Sequence, residues 1–202
     1  ELMGDKTHKL VSCHLGSGAS LCAIEDGQCM DTTMGLTPLD GLIMGTRTGT
    51  VDPATVFYLN RVGGYSIDEI DTMMNKQSGL LAISGVSSDS RDIEDGAAKG
   101  DANCQMALDM FYYRTAQLFA EMAASMEGVD TMAFTAGIGE NAPEMRAGVA
   151  NRLAWMGVKI DDEKNAIRSD EPRVISTPDS AITVMVVPTN EEYMIALDVE
   201  EL

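Results

Sequence analysis

Apolar positions first gather in Leu10 to Leu15, a short run that ends at Gly16-Ser17-Gly18 and therefore reads as a strand entering a glycine loop. A second β-type run, Ala19 to Ile24, returns from that loop. Asp26-Gly27 is a hairpin signal leading into Gln28 to Thr33. From Gly35 to Gly49 no period survives, and Pro38 with four glycines marks a loop. Asp52-Pro53 supplies the cap and first-turn proline of a helix that Gly63-Gly64 ends. Ser66-Ile67-Asp68-Glu69 is a capping box for the next helix, to about Gln77. Ser87 to Asp92 is a polar connection before a short acidic helix. The strongest periodic signal follows: Cys104, Leu108, Phe111, Thr115, Leu118, Met122 and Met126 recur at helical spacing. They predict one long helix from about Asp101 to Met126, ended by Gly128.

Met132 to Phe134 reads as a buried strand, followed by Gly137-Ile138-Gly139. A helix is expected to open at Asn141, with Pro143 in its first turn and Glu144 three residues past the cap, and to run to Trp155. Val158 to Ile160 and Ile182 to Val187 are further β-type runs. Thr189-Asn190-Glu191-Glu192 opens a terminal helix. Hairpins first and αβ alternation afterwards predict an α/β fold, a mixed β-sheet with helices packed on it.

Composition narrows the classes. The chain has 202 residues, 45% hydrophobic and 23% charged, with no signal-peptide pattern and no apolar run of membrane-spanning length. A net charge of −18 argues against a nucleic-acid or anionic-membrane partner. It leaves room for small anions held by loop amides and a few arginines. Cys13, Cys22, Cys29 and Cys104 form no C-x-x-C pair, so zinc and thioredoxin-like readings lack support. They are expected to be reduced core thiols of a cytoplasmic protein.

Candidate chemistry lies in the glycine-rich loops. Gly16-Ser17-Gly18 lacks the lysine and helix of a Walker loop, yet a glycine hairpin can cradle phosphate with converging amides. His14, at its mouth, is either a phosphoryl ligand or a structural histidine. Arg47, between Gly45 and Gly49, suits a phosphoryl group or a neighbouring carboxylate. Glu191 and Glu192 serve the helix dipole, or one of them places magnesium. Gly137-x-Gly139-x-x-Ala142, with Asp161 roughly 20 residues on, also matches a dinucleotide-binding fingerprint. That makes an oxidoreductase domain the alternative.

Taken together, the stretches resemble the acetate kinase family, within the superfamily of sugar kinases, actin and heat-shock chaperones. The resemblance rests on His14 to Ser20, Asp31 to Gly49, Ser88 to Ile93, Phe134 to Asn141 and Pro188 to Glu192, in that order. It implies an actin-like fold and Mg2+-dependent, reversible transfer of the ATP γ-phosphoryl group to acetate, giving acetyl phosphate and ADP. Propionate or another short-chain acyl group is the alternative acceptor. Arg47 and His14 would be catalytic. Gly16, Ser17, Gly18, Asp89, Ser90, Arg91, Gly137, Ile138, Gly139 and Asn141 would bind nucleotide, and Glu191 the metal. Ser17 stands where the family usually has asparagine, and Thr50 where it often has an acidic residue, which leaves ATP or pyrophosphate as donor open. Family members are about twice as long. The chain thus resembles their C-terminal nucleotide-binding domain, residues 1–193, with 194–202 a helix that would pack on an absent N-terminal half. A homodimer through the long helix is expected, with little activity for this chain alone.

Overall fold

The computed structural model of the chain describes residues 7–200. β1 (Lys9–Leu15), β2 (Ala19–Glu25) and β3 (Gln28–Thr32) form an antiparallel meander. β1 buries Val11, Cys13 and Leu15, and β2 buries Ala19, Leu21 and Ala23, every second residue, as pleated strands with one core face do. Asp26 and Gly27 both have positive φ, 48° and 79°, the backbone of a type I′ turn.

Five helices follow: α1 (Ala54–Arg61), α2 (Ile67–Lys76), α3 (Gly79–Ser84), α4 (Ser90–Ala98) and α5 (Ala102–Ser125). The second half runs β4 (Thr131–Thr135), α6 (Ala136–Asn141), α7 (Pro143–Arg152), α8 (Asp162–Ala166), β5 (Arg173–Val174), β6 (Thr183–Val186) and α9 (Glu191–Glu200). The sheet order is β3-β2-β1-β4-β6-β5. β4 is parallel to both β1 and β6, and the remaining pairings are antiparallel, so the sheet is mixed as expected. Thr131 to Phe134 are all buried, the signature of a central parallel strand covered on both faces.

All seven residues of the predicted stripe on α5 are buried. The helix packs on β1, β2 and β3, while α3, α4 and α7 pack against it, and their side chains share one apolar core. Asp101 caps α5 by accepting from the N–H groups of Asn103 and Cys104 at 2.9 and 3.0 Å. The capping box at Ser66 and Glu69 is formed.

Several local expectations are corrected. No helix opens at Asn141. α6 begins at once after β4, takes both glycines into its turn and ends at Asn141. Ala142, at φ −107° and ψ 88°, then breaks the chain before α7 starts on Pro143. α7 stops at Arg152, and a 3₁₀ turn covers Ala154–Met156. Val158 to Ile160 is not a strand; Ile160 alone bridges to Ser176. Cys13 and Cys104 are core thiols, but Cys22 is half-buried and Cys29 is exposed on the edge strand. No helix among the described residues is long and apolar enough to cross a membrane.

Candidate functional site

The parallel strands β1, β4 and β6 end on one side of the sheet, and the segments leaving them line two cavities that share Gly137. Open α/β sheets bind ligands in the crevice outside these carboxyl ends. The first cavity, about 690 Å³, has Gly16 and Ser17 on one wall, Asp89, Ser90, Arg91 and Glu94 on another, and Gly137, Ile138 and Asn141 on a third. The second, about 460 Å³, is bounded by His14, Glu140, Thr189, Asn190 and Glu192.

The β4–α6 corner is held by a small polar network. Ala136 sits at φ 64°, a left-handed conformation that costs a side-chain-bearing residue about 1–2 kcal/mol. Its N–H donates to Thr189 Oγ1 at 3.0 Å, and Thr135 Oγ1 lies 2.6 Å from the same oxygen. Glu140 Oε1 in turn accepts from the Thr189 N–H at 2.9 Å and hydroxyl at 3.0 Å. The start of the chain leaving β6 is thus tied to the start of the chain leaving β4. Asn141 Nδ2 donates back to the Gly137 carbonyl at 3.0 Å, closing the α6 turn.

Beneath α6 lies Arg146, 1% exposed. Its Nη1 donates to the carbonyls of Gly139 and Glu140 at 2.8 and 2.9 Å. Nε donates to Asn165 Oδ1 and Nη2 to the Asn165 carbonyl, both at 2.7 Å. The guanidinium fork satisfies carbonyls that the short helix leaves open. Burial pulls its pKa down to about 10, so it stays charged at neutral pH.

Asp89 caps α4, accepting from the Arg91 N–H at 3.0 Å, and receives Arg91 Nε and Nη2 at 3.0 and 2.6 Å. Those bonds hold its pKa down at about 2. Glu94, one helical turn past Arg91, is different. Burial, reinforced by Glu144, Asp89 and Asp95, raises its pKa, and its Oε1 has no hydrogen-bond partner in the structure.

Arg47 stands beside the glycine loop, where a Cβ added to Gly18 would lie 3.4 Å from its Nη1. The same nitrogen donates to the Pro38 carbonyl at 3.2 Å. α3 fixes this loop: the N–H groups of Ser78, Leu80 and Leu81 donate to the carbonyls of Thr46, Met44 and Gly45. Gly79 has φ 63°, and a Cβ there would meet the Met44 carbonyl oxygen, so only glycine allows the two backbones to touch.

The structure therefore brings Gly16, Ser17, Asp89, Ser90, Arg91, Gly137, Ile138 and Asn141 to one cavity and His14 to its neighbour, with Gly18 and Arg47 adjacent to each other. Gly139 is buried, lines neither cavity, and packs toward Phe134. Glu191 opens α9, but its side chain lies outside the described residues; Glu192 lines the second cavity. Sequence reasoning missed Glu94, Arg146 and Arg168, which also lines the first cavity. Glu94 was within reach, three residues after Arg91 on the same helical face. Arg146 carried no signal, because an arginine on an exposed-looking helix reads as solvated. Among the described residues, no group of three or more His, Cys, Asp or Glu is placed to hold a metal ion. Magnesium needs fewer protein ligands when phosphate oxygens and water complete its shell. The carboxylate and amide oxygens around the second cavity are donors of the hard type it takes.

The mixed sheet, with helices packed on it and cavities at the carboxyl ends of its parallel strands, defines an α/β domain. The acetokinase family model matches residues 2–197, and the chain belongs to that family. It is 51% identical over 195 residues to the acetate kinase of Thermoanaerobacterium thermosaccharolyticum, covering 96% of this chain and 48% of that protein. Its structure matches the crystal structure of Porphyromonas gingivalis acetate kinase with a TM-score of 0.90 at 44% identity, covering 96% of this chain and 48% of that one. A propionate kinase from Francisella tularensis matches with a TM-score of 0.89 at 43% identity, covering 96% and 49%. The chain spans about half the length of the curated relatives it matches. Asp161, the expected ribose ligand of an oxidoreductase, instead caps α8, accepting from the Lys164 N–H at 3.1 Å, and lines neither cavity.

Proposed function

We propose that this chain is the nucleotide-binding half of an acyl kinase that transfers the γ-phosphoryl group of ATP to acetate, reversibly, giving acetyl phosphate and ADP. The observation that carries this reading is the first cavity. It joins a glycine hairpin, the capped start of α4 and the α6 turn, a size and donor set that suit a nucleoside and its phosphates. Asp89, Ser90 and Arg91 with Gly137, Ile138 and Asn141 bind the adenosine, and the free Glu94 oxygen accepts from its amino group. Ser17 and Gly18 offer backbone N–H groups to the phosphates, and Gly16, whose N–H donates to the Gly18 carbonyl at 3.0 Å, holds the turn that presents them. Arg47 and His14 face the group in transit, Arg47 neutralising charge on its equatorial oxygens. Magnesium, held at the start of α9 by Glu191, would supply charge neutralisation between the phosphates.

Calorimetric titration of the chain with MgADP, MgATP and NADH tests the reading. Saturable adenine-nucleotide binding is expected, weakened about tenfold or more in Arg91→Ala and absent for NADH. Binding of NADH without MgATP would overturn it. In the enzyme that contains this half, Arg47→Ala is expected to lower kcat about a thousandfold with little change in nucleotide affinity. Unchanged turnover would remove Arg47 from the chemistry. Propionate is the second acceptor, favoured by the propionate kinase among the structural neighbours.

A further inference from the structure

Two of the four thiols leave the core. Cys22 projects from β2 on the face opposite Leu21 and Ala23, because successive residues of a strand alternate. Cys29 sits on β3, the edge strand, opposite Ile24, which shares the Cys22 face. The pair is therefore diagonal, and diagonal neighbours in a regular ladder stand about 7–8 Å apart at their backbones. Here the register shifts between Ala23 and Ile24, so that Met30 is an extra residue on β3. A bulge sharpens the local twist. The two Sγ atoms lie 3.3 Å apart.

We propose that Cys22 and Cys29 are a redox-active dithiol, a modification site that reacts with small-molecule disulfides and closes to an intramolecular disulfide across the β2–β3 hairpin. Cys29 is exposed and meets the reagent first. Its thiolate attacks one sulfur of a disulfide RSSR, forming Cys29–S–SR and expelling RS⁻, which takes a proton from solvent. The Cys22 thiol then gives its proton to solvent, and its sulfur attacks the Cys29 sulfur and displaces the second RS⁻. The protein loses two protons and two electrons, and RSSR takes up two of each to become two RSH. Burial and the neighbouring Cys29 and Asp31 raise the Cys22 pKa to about 11, which makes it a poor first nucleophile, whereas the 3.3 Å approach of the two sulfurs favours it in the second, intramolecular step. Cys13 and Cys104 are buried and closed to the reagent.

The test uses glutathione disulfide on the full 202-residue chain under native conditions, followed by acid quench and alkylation of the remaining thiols after unfolding. Cleavage after Glu25 separates Cys22 from Cys29, whereas trypsin leaves both in one fragment. Expected are the loss of two of the four thiols, no retained glutathione, and a disulfide joining the fragment that ends at Glu25 to the one that follows it. Cys22→Ser is expected to keep one glutathione on Cys29 and form no cross-link. Four intact thiols, a lasting adduct on Cys29 of the unaltered chain, or a cross-link that survives in Cys22→Ser would each overturn the proposal.

Discussion

Asp89 does two tasks with one carboxylate. It accepts the Arg91 N–H in the first turn of α4, and it holds the Arg91 guanidinium in a two-pronged contact at the cavity wall. Because Arg91 lowers the Asp89 pKa to about 2, the ionised pair is favoured by folding. Its contribution is fully present above the ordinary aspartate value of about 3.9 and is lost as pH falls toward 2. Both groups are largely exposed, so solvent screening keeps that contribution small. The measurable consequence is local: a carbon-detected titration of the Asp89 carboxyl should show a midpoint near 2. A midpoint near 3.9 would mean that the fork is not maintained in solution. The neighbouring Glu94 moves the opposite way, upward through burial, so two carboxyls five residues apart on one cavity wall are shifted in opposite directions.

At the scale of elements, Arg146 joins α6, α7 and α8. Replacing it with alanine strips donors from the carbonyls of Gly139, Glu140 and Asn165 and leaves a void where a buried side chain stood. Arg146→Ala should lower unfolding free energy by about 3 kcal/mol, read from the midpoint shift in urea. A loss under about 1 kcal/mol would mean that water replaces the guanidinium at no cost. Elements with a strong local code were legible in the sequence: the α5 stripe, the Ser66 box and the Asp26-Gly27 turn. What escaped depends on partners distant in the chain. α3 is six residues long, and its first N–H groups are spent on carbonyls of the Arg47 loop. β5 has two residues and exists only because β6 lies beside it. The α6 turn was read as a loop because two glycines look like a breaker. A left-handed Ala136 held by Thr189, 53 residues away, was beyond any local pattern. The loops that wall the first cavity were visible as motifs, but the buried arginine that supports one of them was not.

For the whole molecule, one exposed apolar surface among the described residues lies on α5. Met106, Met110 and Tyr113 are exposed at 47%, 39% and 54% and fall on one helical face, away from the buried stripe. The homodimer proposed from the family resemblance would cover this face with a second copy. Sedimentation velocity should then show a dimer for the chain and a monomer for Met110→Asp. A monomer in both would place any dimer contact elsewhere.

The cavity walls come from residues 16–17, 88–94, 137–144 and 168, separated by most of the chain and united only after β4 inserts between β1 and β6. Strand insertion of this kind closes long loops and is a slow event in folding. On that ground the binding surface is expected to be among the last features completed when the chain folds. A ligand that needs it will leave the folding rate nearly untouched and slow the rate of unfolding instead. For this domain, nucleotide would act on lifetime more than on the speed of becoming native.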